Sequence, residues 1–446
     1  MNIQLSDKFD YKKLLRFTFP SVIMMVFTSV YGVVDGYFVS NFVGKTPFAA
    51  VNFIMPFLMI LGTVGFMFGT GGSALIAITM GTGDKEKAKR LFSLFIYVSI
   101  LCGIVIGALG ILALRPVAAL LGAEGELLDN CVVYGRIILA VLPALILQFE
   151  FQSFFITAEK PKLGLAVTVA AGVTNIVLDA LFVGVFRWGL VGAAGATALS
   201  QSIGGLVPLI YFGRPNSSLL RLTRTKFDGK AILKACANGS SELMSNISMS
   251  VVGMLYNGQL MRYAGEDGVA AYGVLMYVNL VFLAAFIGYS VGVAPVVGYH
   301  YGAGNHEELR GLLKKSLVLI GIFSVSMLLL AESLARPLSL IFVGYDPALL
   351  ELTLRGFLVY SFSFLFAGLA IYGSSFFTAL GNGLVSALIS FLRTLVFQVA
   401  AVLLFPVIWG IDGIWFSIVA AELVAAFVTV LFLVGMRKKY RYSREQ

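Results

Sequence analysis

Apolar runs, nearly all ~20 residues or longer, follow one another along this chain with short polar connections between them, and they leave few folds open. A helical run of that length crosses the ~30 Å hydrocarbon layer of a membrane, whereas a run of about 10–14 residues would suit a soluble core. Inside a bilayer every backbone polar group needs a partner within the protein, so only helices and closed barrels can span it. The alternating pattern of barrel strands is absent. Charged residues are 12% of the 446, about half the usual share in a soluble chain, so a solvated globular surface is missing. The expected class is an all-α polytopic membrane protein.

Twelve spans are expected, at roughly 12–40, 46–72, 91–115, 132–157, 162–186, 190–212, 233–262, 268–299, 312–333, 350–379, 384–405 and 411–436. The first run follows the charged stretch Asp7 to Lys13 and no small-residue cleavage site comes after it, so it is expected to stay as a span. Positive connections stay cytoplasmic. With both termini inside, 24 of the 32 Lys and Arg fall on inner connections, including Arg444, and five (Lys45, Arg115, Arg187, Arg262, Arg336) fall outside. That imbalance supports cytoplasmic termini and an even span count. It also makes the net charge of +9 a topology signal, with no nucleic-acid partner implied. Cys102, Cys131 and Cys236 are far apart and read as packing residues, with no disulfide or metal framework.

The chain repeats itself at an offset of 221 residues. Gly44 falls on Gly265, Arg115-Pro116 on Arg336-Pro337, Thr157-Ala158 on Thr378-Ala379, and Gly189 with Gly192 on Gly410 with Gly413. The connection Gly81-Thr82-Gly83-Asp84 falls on Gly302-Ala303-Gly304-Asn305. Six spans per copy is an even number, so both copies point the same way, the parallel duplication of many secondary transporters. The expected organisation is an N-terminal six-helix lobe (1–212), a cytoplasmic linker (213–234) and a C-terminal six-helix lobe (235–446), with substrate between the lobes.

Charges within spans cost several kcal/mol and mark function by default. Asp35 on span 1 and Asp179 on span 5 lie ~8–10 Å below the outer ends of their helices, as does Thr197 on span 6. Asn175 shares a helix face with Asp179. Four oxygen-bearing groups from three helices thus reach one level of the first lobe. Hard cations favour such ligands, and two adjacent carboxylates also bind a proton more readily. The 221 offset puts Tyr256, Val396, Ala400 and Ile418 at the corresponding positions, so the set is not duplicated. Glu242, in the polar stretch that includes Asn246, is expected to line a wet cavity and touch a cationic substrate. Met24, Tyr31 and Glu150 are further cavity candidates, and Pro20 is a candidate hinge early in span 1. Arg393 is expected to pair with either Glu242 or Glu422.

These residues resemble the multidrug and toxic compound extrusion (MATE) family, close to its bacterial multidrug-efflux branch. The resemblance covers essentially the whole chain and is most specific in Pro20 with Asp35, Asn175 with Asp179, Thr197, the stretch Thr157 to Pro161, and Glu242. It implies that the N-lobe group holds a sodium ion or a proton, and that bulky, often cationic drugs leave the cell in exchange for that ion. The implied setting is the bacterial inner membrane, as a monomer in the lipid bilayer, with no cofactor beyond the coupling ion.

Three other readings are weaker. A lipid-linked oligosaccharide flippase of the same superfamily tends towards fourteen spans and a cationic cavity. A major-facilitator carrier would show a basic loop that Gly81 to Arg90 does not match. A membrane-embedded enzyme has no Ser/His/Asp set, metal-ligand cluster or dinucleotide fingerprint to work with.

Overall fold

The computed structural model describes residues 3–442; Arg444 lies outside the described residues. Among the described residues there is no strand. The first half holds α1 (Tyr11–Val43), α2 (Lys45–Gly81), α3 (Lys85–Leu120), α4 (Gly125–Ala140 and Leu142–Thr157, bent by 60° between them), α5 (Pro161–Val185) and α6 (Gly189–Gly213). The second half opens with one helical stretch of 63 residues, Ser240–Gly302. At 1.5 Å per residue that would be ~95 Å long, three times the hydrocarbon thickness. It is in fact two helices, α7 (240–264) and α8 (266–302), joined at Gly265 with φ 63 and ψ −151, a backbone state open to glycine alone. Then come α9 (His306–Val343), α10 (Pro347–Ala379), α11 (Gly383–Trp409) and α12 (Ile411–Gly435). With the stretch divided at Gly265 and the bent α4 taken as one span, the described helices make twelve spans.

Several helices outrun the apolar runs that announce them. The second span, expected to stop near 72, continues as α2 to Gly81, and the third begins at Lys85. Polar caps beyond the apolar region set these ends. The Asp84 carboxylate accepts the Lys87 N–H at 3.0 Å, and Asn305 Oδ1 accepts the Glu308 N–H at 3.1 Å. Asp84 and Asn305 are a duplicated pair, so even the cap is repeated. The same holds for three left-handed glycine pairs: Gly44 and Gly265, Gly83 and Gly304, Gly189 and Gly410.

Burial shows how the halves meet. One apolar core takes residues from both lobes at the end carrying the termini: Ile76 and Phe92 with Val296 and Phe376. Towards the far end the core divides, one part confined to the N-lobe around Ile54 and Leu139, the other to the C-lobe around Leu275 and Trp415. The lobes are therefore joined at the terminal end and separate beyond it. At the joined end α2 and α8 cross at their last residues. A Cβ on Gly81 would stand 2.0 Å from the Tyr299 carbonyl oxygen, and one on Gly302 would stand 2.0 Å from that of Ile78. The two contacts are images of each other under the 221-residue offset, and only glycine at both positions lets the backbones come so close.

The N-terminal segment straps this joint. Leu5 N–H donates to Glu159 Oε1 of the N-lobe at 2.7 Å, and Phe9 N–H donates to Glu308 Oε1 of the C-lobe at 2.8 Å. The Asp7 carbonyl pairs with His300 Nε2 at 3.2 Å, and the Phe9 carbonyl accepts from Lys315 Nζ. Leu5 and Phe9 are buried. The connection between lobes is pinned as well: Thr223 N–H donates to Ser93 Oγ at 2.8 Å. It ends in a short helix, Gly229–Asn238, that starts within the expected linker.

Candidate cation and substrate sites

The N-lobe brings its expected polar group together. Asp35 comes from the part of α1 far from the termini, Asn175 and Asp179 from α5, and Thr197 from α6. Thr197 Oγ1 donates to Asp35 Oδ1 at 3.4 Å, and Asn175 Nδ2 donates to Thr197 Oγ1 at 3.5 Å. Asp179 lies against Asp35, is fully buried, and has neither carboxylate oxygen hydrogen-bonded. Neither aspartate takes part in an ion pair among the described residues. A buried carboxylate without partners is costly, so Asp179, with half-buried Asp35 against it, calls for a bound proton or cation. The two hydrogen bonds are long against the ~2.7–3.0 Å usual for such donors. Oxygens about 2.4 Å from a six-coordinate cation stand ~3.4 Å apart, so the Thr197 Oγ1–Asp35 Oδ1 spacing also suits two ligands of one ion.

One member of this group carried no signal in the sequence. Tyr134 of α4 lies beside Thr197, with Asp35 and Asp179 in electrostatic range. It is buried, and its hydroxyl makes no hydrogen bond. A tyrosine in a span is ordinary, and only the bundle geometry brings it to the carboxylates. Tyr31, one helical turn before Asp35, extends the group inward towards Gln148.

The C-lobe treats its charges differently. Arg393 Nε and one terminal nitrogen donate to Glu422 Oε2 and Oε1 at 2.8 and 2.9 Å, a two-pronged pair in which Glu422 is buried and Arg393 half-buried. Of the two acids expected as its partner, Glu422 is the one engaged. At the position matching Asp35, the Tyr256 hydroxyl donates to Gln398 Oε1 at 3.0 Å, a neutral bond across the same pair of duplicated helices. The second lobe is thus internally neutralised where the first is left wanting a positive charge.

Glu242 is partly exposed, and its carboxylate makes no hydrogen bond or ion pair among the described residues. Asn246 uses its amide nitrogen on the Glu242 carbonyl one turn back, at 2.9 Å, which leaves its side-chain oxygen available. Met24 and Glu150 differ from the expected cavity lining. Met24 is 2% exposed, and Glu150 is wholly enclosed with both carboxylate oxygens unbonded. The reason for Glu150 is its place on the inner segment of α4, where almost every residue from Leu142 to Thr157 is buried as the central helix of the lobe. Pro20 is also buried, and α1 continues through it without a break.

Twelve helices in two parallel copies, joined at one end and bearing two adjoining carboxylates without a basic partner among the described residues in one copy, define a duplicated secondary-transporter architecture. The MatE family model matches residues 20–181 and again 243–404, and the chain belongs to that family. The start and the end of the two matches are each 223 residues apart, two from the offset of the repeat. The multidrug export protein MepA of Staphylococcus haemolyticus is 26% identical over 442 residues, covering 96% of this chain and 94% of that protein. The protein of the same name from Staphylococcus saprophyticus is 24% identical over 443 residues, covering 98% and 96%. A solved structure described as the outward-facing conformation of a multidrug resistance MATE family transporter of the MOP superfamily has a TM-score of 0.93 at 24% identity, covering 99% of both chains. At that identity the likeness carries the fold.

Proposed function

We propose that this protein is a secondary active multidrug exporter that moves bulky, often cationic organic compounds out of a bacterial cell in exchange for Na+ or H+. Membership of the MatE family and similarity to proteins named as multidrug exporters support the export reading. The observation that carries the coupling is the Asp35–Asp179 pair, with Asp179 buried and Asp35 half-buried, set beside Thr197, Asn175 and Tyr134 and without a basic partner among the described residues, in one lobe only. Such a group binds whichever cation the membrane gradient supplies, and the same oxygens serve a proton or sodium.

The protein lies in the bacterial inner membrane as a monomer, with both termini cytoplasmic as the distribution of Lys and Arg favours. The joined end is then the cytoplasmic one, sealed by the α2–α8 crossing and the N-terminal strap, while the parted ends face outward. Asp35 and Asp179 lie towards that outward side, so the ion arrives from outside and drug leaves to the same side. An ion biases the lobes only by binding one arrangement more tightly than the other. Glu242 is the foremost contact for a cationic substrate, with Tyr31 and Asn246 beside the path. Export leaves the carried compound chemically unchanged, and no cofactor takes part.

Everted membrane vesicles loaded through the protein with a fluorescent lipophilic cation test this reading, with sodium and pH gradients imposed separately. One gradient drives accumulation in the native protein, and Asp35→Asn abolishes it. Accumulation unchanged in Asp35→Asn defeats the coupling assignment.

A further inference from the structure

A cleft of about 620 Å³ opens at the junction of the lobes, away from the polar sites described above. Its walls come from both halves: Phe19 and Val22 on α1 face Phe323 and Met327 on α9, with Ala285 of α8 between. Phe19 is 61% exposed, one of many apolar side chains that this chain turns towards lipid, so the cleft wall is open to an acyl chain. Arg16 of α1 and Lys162 of α5 also line the cleft, both exposed and neither in an ion pair among the described residues. Lys162 is the second residue of α5, whose start has no side-chain cap and adds its partial positive charge.

We propose that this cleft is a binding site for one anionic phospholipid of the cytoplasmic leaflet, its phosphate held by Arg16 and Lys162 and an acyl chain lying against Phe19, Val22, Phe323 and Met327. Basic pockets between spanning helices on the cytoplasmic side suit such headgroups. An organic cation would meet two positive charges at the mouth, so the electrostatics disfavour a cationic compound as its occupant. The bound chain touches α1 and α9 together, so it sits where parting of the lobes would be felt. The leaflet rests on the cytoplasmic orientation proposed above; the site itself does not.

Native mass spectrometry of the full-length protein, released from mixed micelles of phosphatidylglycerol and phosphatidylcholine with matched chains, tests the proposal. Two cations beside one anionic headgroup give about a thirtyfold preference for phosphatidylglycerol. The charge-preserving Arg16→Lys/Lys162→Arg variant keeps it, and Arg16→Gln/Lys162→Gln loses it. Met327→Trp, which fills the apolar end, reduces retention of both lipids. Equal retention of the two lipids by the native protein overturns the site, as does a preference that survives in the glutamine variant. Displacement of phosphatidylglycerol by tetraphenylphosphonium overturns it too, by showing an organic-cation site. Labelling of a cysteine placed at Lys162 from outside intact cells would sink the orientation while leaving the lipid result standing.

Discussion

Replacing Gly302 by alanine tests whether the α2–α8 crossing holds the end carrying the termini shut. The added Cβ would stand 2.0 Å from the Ile78 carbonyl oxygen, where contacts under 3.0 Å force something to move, so the backbones part by at least ~1 Å. The obstacle is main chain and cannot rotate aside. Overpacking of this kind costs about 1–3 kcal/mol, so the closed population falls roughly 5- to 150-fold relative to the opened one. Gly81→Ala meets the Tyr299 carbonyl at the same 2.0 Å and has the same effect. One separation relieves both clashes, so the double variant costs less than the sum of the two. Gly253→Ala is the control, since no atom lies within 4 Å of its would-be Cβ. Ser21→Cys supplies the reporter in a chain with Cys102, Cys131 and Cys236 replaced. Ser21 is 1% exposed, its hydroxyl has no partner, and it faces Gly292 across the lobe seam. A membrane-impermeant maleimide applied to the side that carries the termini labels it faster in Gly302→Ala and Gly81→Ala, and at the native rate in Gly253→Ala. Unchanged labelling in the two seam variants refutes the crossing as the lock.

The remaining predictions concern the strap and the two lobes' charges. Leu5→Ser with Phe9→Ser frees the strap from its buried seats and speeds Ser21→Cys labelling, with a smaller effect than Gly302→Ala because no backbone clash is added. Arg393→Gln strands Glu422 and lowers stability by about 3–5 kcal/mol in thermal melts, and Arg393→Met/Glu422→Leu recovers most of it. Full stability in Arg393→Gln would show the pair to be idle. Tyr134→Phe leaves the melting temperature near native and weakens binding of the coupling ion by up to about tenfold, the worth of one hydroxyl ligand; unaltered ion affinity removes Tyr134 from the group.

Much of this architecture is legible before any coordinates, for physical reasons that also mark where legibility ends. Lipid demands long apolar helices, so twelve spans stand out, and the 221-residue offset predicts the shared left-handed glycines Gly44 and Gly265. Asp35, Asn175, Asp179 and Thr197 are visible because polar groups are out of place in apolar runs. Tyr134 is hidden because tyrosine is at home in a span. The choice of Glu422 over Glu242 by Arg393 depends on which neighbouring helix faces it, which spacing along one chain does not encode. The full burial of Glu150 is hidden for a related reason: a carboxyl on the central helix of a bundle and one on a cavity wall share the same local sequence pattern. The seam at Gly81 and Gly302 lies past the apolar run, in residues whose closeness exists only once both lobes have docked.

Direct measurement of ion binding to the purified protein bears most immediately on the N-lobe carboxylates, using radioactive sodium at fixed pH and proton uptake after a pH jump. Native protein takes up its driving ion, Asp35→Asn and Asp179→Asn each lose it, and Arg393→Met/Glu422→Leu, altered only in the other lobe, retains it. Ion uptake that persists without either aspartate, or that vanishes equally with the C-lobe variant, contradicts a coupling seat at Asp35 and Asp179.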